Sequence, residues 1–129
     1  MSKVLLVEDD PTESRLYQNL LAAEGFAVVA IDNAQECRQK IIEEKPDVVL
    51  LDIMMPKMNG FEALDVLQFD AETKKTPVIM LTNLADPRYE EESLRHGAVK
   101  FLIKSQTENK QLISIINDVI AAFGKKAVS

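Results

Sequence analysis

The chain has 129 residues, the length of one domain, and 15 Lys and Arg against 21 Asp and Glu leave a formal charge of −6. With 47% hydrophobic and 28% charged residues it is too apolar for a disordered chain, and its acidic balance argues against nucleic acid or an anionic membrane as a direct partner. The single cysteine, Cys37, closes no intrachain disulfide, and no Cys/His cluster offers zinc a tetrahedral site.

The first apolar run, 4–7, is uninterrupted and reads as a strand buried on both faces of a parallel sheet. Asp10-Pro11-Thr12-Glu13 follows: a capping acid, a proline at the first helical position and a Glu three residues after the cap predict a helix start with a capping box. Leu16, Leu20 and Ala23 give that helix its apolar positions, and Gly25 supplies a left-handed stop. A second strand covers 27–31. Asn33 with Glu36 repeats the capping pattern, and that helix ends near Lys45 because Pro46 disfavours helical geometry before it. The third strand is 48–51, and a third helix runs from Phe61 to about Asp70. Pro77 opens the fourth strand, 78–81. The fourth helix covers 87–96 and stops at Gly97, the fifth strand is 101–103, and a broad apolar stripe through Leu112, Ile116, Val119 and Phe123 marks a fifth helix ending at Gly124.

The order is βαβαβαβαβα, without repeat, low-complexity tract or internal linker. Right-handed crossovers then give an α/β fold: a doubly wound parallel sheet of five strands with helices on both faces. Such sheets bind ligands outside the carboxyl ends of their strands. There the first strand delivers Glu8, Asp9 and Asp10, the third Asp52, the fourth Thr82 and the fifth Lys104. Any one of these alone reads as a solvated loop or cap; together they form a pocket. Two unit charges about 5 Å apart repel by roughly 3 kcal/mol at an effective dielectric near 20, so Glu8, Asp9 and Asp52 need compensation. A hard divalent cation such as Mg2+ supplies it, and Lys104 and Thr82 add groups suited to phosphoryl oxygens. Asp52 is the natural nucleophile of an aspartyl phosphate.

Val-Glu-Asp-Asp at 7–10, Leu-Asp-Ile-Met-Met-Pro-Lys-Met-Asn-Gly at 51–60, Met-Leu-Thr-Asn at 80–83 and Phe-Leu-Ile-Lys at 101–104 resemble the receiver domain of two-component response regulators, the CheY-like superfamily. The resemblance covers essentially the whole chain and implies a flavodoxin-like five-stranded sheet of order 2-1-3-4-5. It implies that Asp52 accepts a phosphoryl group from a histidine kinase or histidine phosphotransfer protein. It also implies that Asp9, Asp52 and the Met54 carbonyl bind Mg2+, with Glu8 acting through a water, and that Thr82 and Lys104 hold the phosphoryl oxygens. Thr82 and Phe101 would be the switch residues, altering a face formed by the fourth helix, fifth strand and fifth helix for a downstream protein target. Phosphorylation-dependent homodimerisation is common in the family. Self-phosphorylation and slow self-dephosphorylation would be its only catalysis.

The sequence departs from the family pattern in three places. Ser105 follows Lys104 where proline is usual; a cis bond there would cost about 2.5–4 kcal/mol, so the loop either keeps strain or takes another path. Asn83 follows Thr82 where small residues are commoner and would narrow access to the phosphoryl group. Phe101 replaces the frequent Tyr and lacks its hydroxyl. Met54 and Leu84, two residues beyond Asp52 and Thr82, flank the path of hydrolytic water in this family, and neither orients a water.

Other residues have plainer readings. His96 suits the end of the fourth helix as a cation at the dipole's negative end. Cys37 reads as an unremarkable thiol, Asp10 as a helix cap, and Glu90-Glu91-Glu92 as a solvated face or, with Tyr89, a partner contact. Ser14 and Gln18 are candidate kinase contacts by analogy. The expected organisation is a receiver at 1–124 with a short tail at 125–129, standing alone and acting through protein contact. An acidic triplet cuts off the apolar start before signal length, and no apolar run nears the roughly 20 residues that span a bilayer, so the expected location is the cytoplasm. Three other readings fit the residues less well. A Mg2+-dependent phosphohydrolase would want an acid where Met54 stands, an interaction module working without phosphorylation would have lost part of the pocket, and a flavodoxin-like cofactor protein would need a phosphate loop.

Overall fold

The computed structural model describes residues 1–123. The elements are β1 (Lys3–Val7), α1 (Pro11–Ala23), β2 (Ala27–Ile31), a 3-10 turn (Ala34–Glu36), α2 (Cys37–Glu44), β3 (Val48–Leu51), α3 (Gly60–Phe69), β4 (Val78–Thr82), α4 (Pro87–Arg95), β5 (Lys100–Ile103), a second 3-10 turn (Lys104–Gln106) and α5 (Asn109–Phe123). All strand pairs are parallel and the sheet order is β2-β1-β3-β4-β5, as the resemblance implies. Gly124 and the tail 125–129 lie outside the described residues. No helix among those described is long and apolar enough to cross a membrane.

Alternation along the buried strands sorts the core into two layers. Leu5, Val7, Val49, Leu51, Val78 and Met80 pack with Ala34, Cys37 and Ile41 beside α2 and with Ala63, Leu64 and Leu67 of α3. Val4, Leu6, Val48, Leu50, Ile79 and Leu81 pack on the other face with Leu21 of α1 and Leu112, Ile116 and Val119 of α5. The continuous apolar character of β1, β3 and β4 follows from this burial on both sides, whereas the edge strands β2 and β5 are only partly buried.

One expectation is corrected in part, and two details are added. Of the expected α1 positions Leu16, Leu20 and Ala23, only Leu20 faces the core, together with Tyr17 and Leu21: Leu16 is 62% exposed and Ala23 is exposed. The stripe is rotated because Leu21 and the ring of Tyr17 fill the layer at i and i+4. The Lys104-Ser105 bond is trans, and the chain leaves β5 directly into the 3-10 turn. Cys37 is fully buried, and burial pushes its thiol up to about 12.

His96 does sit at the C-cap of α4, with Gly97 following at φ +110°, but it also ties two helices together. Its Nδ1 lies 2.5 Å from Asp65 of α3 and its Nε2 3.2 Å from Glu92, while its ring stacks on Phe61 at 5.4 Å. Phe61 also stacks on Tyr89 at 6.3 Å, so Tyr89 takes part in the α3–α4 contact.

The loop from β3 to α3 is pinned by Gly60, whose N–H donates to the Ile53 carbonyl at 2.8 Å. A Cβ at Gly60 would stand 2.6 Å from the Asp52 carbonyl oxygen and 2.8 Å from Ile53 Cα, both backbone atoms that cannot swing aside. Gly60→Ala is therefore expected to destabilise by about 1–3 kcal/mol, read as a lowered Tm, and a Tm equal to wild type would contradict the close approach.

The acidic partners raise the His96 pKa, chiefly through the Asp65 hydrogen bond, against a smaller opposing effect of burial. The stabilisation is thus complete below the unfolded value of about 6.5 and is lost as pH rises through the higher folded value. The gap in urea midpoint between wild type and His96→Gln should be widest at low pH, under about 1 kcal/mol given the exposure of Asp65, and should close as pH rises. A gap independent of pH would mean the ion pair contributes nothing.

Candidate functional site

The register of the central strands builds the site. Val7 pairs with Leu51, so Glu8 and Asp9 leave β1 beside Asp52 leaving β3, and the Asp52 N–H donates to the Val7 carbonyl at 3.3 Å. Thr82, the last residue of β4, pairs with Ile103, which puts Lys104 at the same rim. Glu8, Asp9, Asp52, Thr82, Lys104 and Met54 together line a cavity of about 240 Å3. Every residue expected at this rim from the sequence is therefore present there, including Asn83 and Leu84.

Charge is concentrated and largely withdrawn from water. Glu8 is 4% exposed and Asp52 9%, and carboxylate oxygens of Glu8, Asp9 and Asp52 all lie within 4.8 Å of one another. This all-oxygen donor set, with open cavity beside it, fits a hard divalent cation, and Mg2+ in particular takes one or two carboxylates and keeps the rest of its sphere for waters and phosphate oxygens. Lys104, its side chain 7% exposed, donates to Glu8 at 2.5 Å, to Asp52 at 3.2 Å and to Glu13. Burial opposes its charge, but the hydrogen bonds to Glu13 and Glu8 and the Asp52 charge outweigh that and hold the ammonium above its ordinary pKa. Burial raises the Glu8 carboxyl, with the Lys104 and Asp10 hydrogen bonds pulling the other way. Thr82 is fully buried and accepts the Leu84 N–H at 3.3 Å, which leaves its own proton for another acceptor.

Asp10 caps α1, its Oδ1 accepting from Thr12 and Glu13 N–H at 2.9 and 3.0 Å. Ser14 and Gln18, joined by a 3.0 Å hydrogen bond, line the adjoining cleft with Glu8 and Asp9. Met54 is 62% exposed at the mouth, and its N–H lies 3.4 Å from Asp52 Oδ1. Phe101 is half-buried against the core layer of α2 and α3, away from the cavity wall. The residue that sequence reasoning missed is Glu13: assigned to a capping box, it instead reaches Lys104. Its place one turn before Tyr17, on the inward face of α1, was the available signal.

Comparison with known proteins agrees with this geometry. The family described as response regulator receiver domain matches residues 4–117. The chain is 38% identical over 121 residues to protein PilH of Pseudomonas aeruginosa, covering 94% of this chain and 99% of PilH. It is 34% identical over 120 residues to the transcriptional regulatory protein CpxR of Escherichia coli, covering 93% of this chain and 50% of CpxR, so it spans about half the length of that relative. Among solved structures, the signal receiver domain of a signal transduction histidine kinase from Syntrophus aciditrophicus superposes with a TM-score of 0.87 at 28% identity, covering 100% of this chain and 96% of that one. The BeF3-activated N-terminal receiver domain of Klebsiella pneumoniae RstA gives 0.86 at 29% identity, covering 92% and 98%. An acidic pocket at the carboxyl ends of β1 and β3, on a sheet of order 2-1-3-4-5 and in a chain matched almost end to end, makes this protein a member of the response regulator receiver domains, signalling modules of two-component systems.

Proposed function

We propose that the chain is a phosphorylation switch in which Asp52 takes a phosphoryl group from a histidine kinase or histidine phosphotransfer protein. The observation that supports this most is the convergence on Asp52 of two further carboxylates, a buried hydroxyl and a buried ammonium from three other strand ends. In this reading an Asp52 carboxylate oxygen attacks phosphorus in line, the P–N bond of the donor phosphohistidine breaks, and its electron pair leaves with the imidazole, which takes up a proton. Asp9, Asp52 and the Met54 carbonyl would hold Mg2+, with Glu8 behind a water, and the ion would neutralise charge on the transferring oxygens. Lys104 and the free proton of Thr82 would bind the phosphoryl oxygens. Thr82 and Phe101 would carry the change outward to α4, β5 and α5, where a downstream protein target reads it. The group can shift that equilibrium only by the difference in its contacts between the two states. The receiver unit is assigned to 1–124, followed by the tail 125–129, in a cytoplasmic setting, with output by protein contact and homodimerisation as an added route.

Incubation with acetyl phosphate and Mg2+ should add about 80 Da, the mass of one phosphoryl group, to the wild type and not to Asp52→Asn or to a metal-free sample. Failure to gain that mass under conditions that label another receiver would move the assignment to a constitutive interaction module.

Met54 and Leu84, which line the cavity two residues beyond Asp52 and Thr82, carry apolar side chains that cannot orient a water for in-line attack on the phosphoryl group. The aspartyl phosphate should therefore be long-lived, and the pair Met54→Asn with Leu84→Glu should shorten its lifetime by about tenfold or more. An unchanged or longer lifetime in the double variant would refute this account of the stability.

A further inference from the structure

The start of α1 is capped in a way its spacing does not predict, and the difference bears on Lys104. In a capping box the third-position Glu reaches back to the N–H of the cap residue. Here the Asp10 N–H donates to Glu8 Oε2 at 3.0 Å. Glu8 thus takes over the reciprocal bond, and the Glu13 carboxylate turns inward to meet Lys104 across 91 residues of chain. Glu13 lies one turn before Tyr17 and two before Leu20 and Leu21, so the stripe that packs α1 on the sheet also aims this side chain at the cavity rim.

A lysine ammonium has three N–H donors, and Lys104 has three carboxylate partners: Glu8, Glu13 and Asp52. Phosphorylation converts the Asp52 carboxylate to an acyl phosphate and frees one Lys104 donor for it; a second bond from Lys104 to the phosphoryl oxygens requires that Glu8 or Glu13 give up theirs. Side-chain exposure is 4% for Glu8, 11% for Asp52 and 35% for Glu13, so Glu13 alone can exchange its lysine contact for water at little cost. Building on the receiver reading above, we propose that Glu13 is a positioning residue that competes with the phosphoryl group for Lys104. In the unphosphorylated chain it draws the ammonium to the α1 side of the pocket and raises the threshold for phosphorylation.

At saturating Mg2+, which removes any difference in metal affinity, Glu13→Gln should be labelled on Asp52 by acetyl phosphate about three- to tenfold faster than wild type, the range expected for loss of one partly exposed charge-assisted contact. The first-turn charge of α1 is controlled by combining it with Thr12→Glu at the exposed neighbouring position, which keeps an acid near the helix N-terminus without the Lys104 contact. That double variant should label as fast as Glu13→Gln alone. A second readout needs neither metal nor phosphodonor: the Nζ proton signals of Lys104 in NMR should be protected from solvent exchange in the wild type and lose protection in Glu13→Gln. Equal or slower labelling of Glu13→Gln, or a return to the wild-type rate in the double variant, would overturn the proposal. A wild type that does not label at all would overturn the receiver reading itself, while the Lys104 signals would still report whether the contact exists.

Discussion

The pocket is an electrostatic problem solved by one side chain. Three carboxylates that share a space of a few ångströms, two of them nearly excluded from water, would repel one another strongly in the absence of a cation. Lys104 is the internal cation that makes the arrangement tenable. It reaches the pocket from the end of β5, whose place next to β4 in the sheet is what brings it within range of residues on β1 and β3. The long-range order of the sheet and the local charge balance therefore depend on each other. A strand that slipped by one position would carry the ammonium to the opposite face and leave buried charge uncompensated.

That dependence also explains why the site lies at one end only. The strands are continuous apolar runs that end abruptly in polar residues, and both helical layers close over the apolar part. Alternation sends Glu8, Asp52 and Lys104 in the direction of the α1 and α5 layer, while Thr82 and Phe101 share parity with the α2, α3 and α4 layer. The charge-balancing groups and the residues assigned to switching thus occupy opposite sides of the same sheet, joined through two adjacent strands.

Most of the fold was legible because its signals are local. Uninterrupted runs such as Val48 to Leu51 have no reading except a strand buried on both faces, and Pro11, Pro87, Gly25 and Gly97 mark helix ends by backbone geometry alone. The rim residues were legible for the same reason: each directly follows or ends a strand. What sequence could not supply was which of several periodic stripes a helix buries and what a long side chain does at its far end. In α1 both stripes are apolar enough on paper, and only the fit of Tyr17 and Leu21 to the sheet selects one. Within their own helices Glu13 reads as part of a cap and His96 as a cation at the helix end, and Tyr89 reads as a contact for a partner. The structure gives each a partner on another element, which no spacing rule encodes.

Burial of Cys37 carries a practical consequence of a different kind. The chain has a single thiol, and it is packed against the sheet, shielded from solvent and held protonated at neutral pH. Thiol-directed dyes and spin labels should leave it untouched. A cysteine introduced on an exposed helix would then be the sole attachment point with the native core intact, and pairs of such labels would turn the separation between helices into a ruler for the change proposed to accompany phosphorylation.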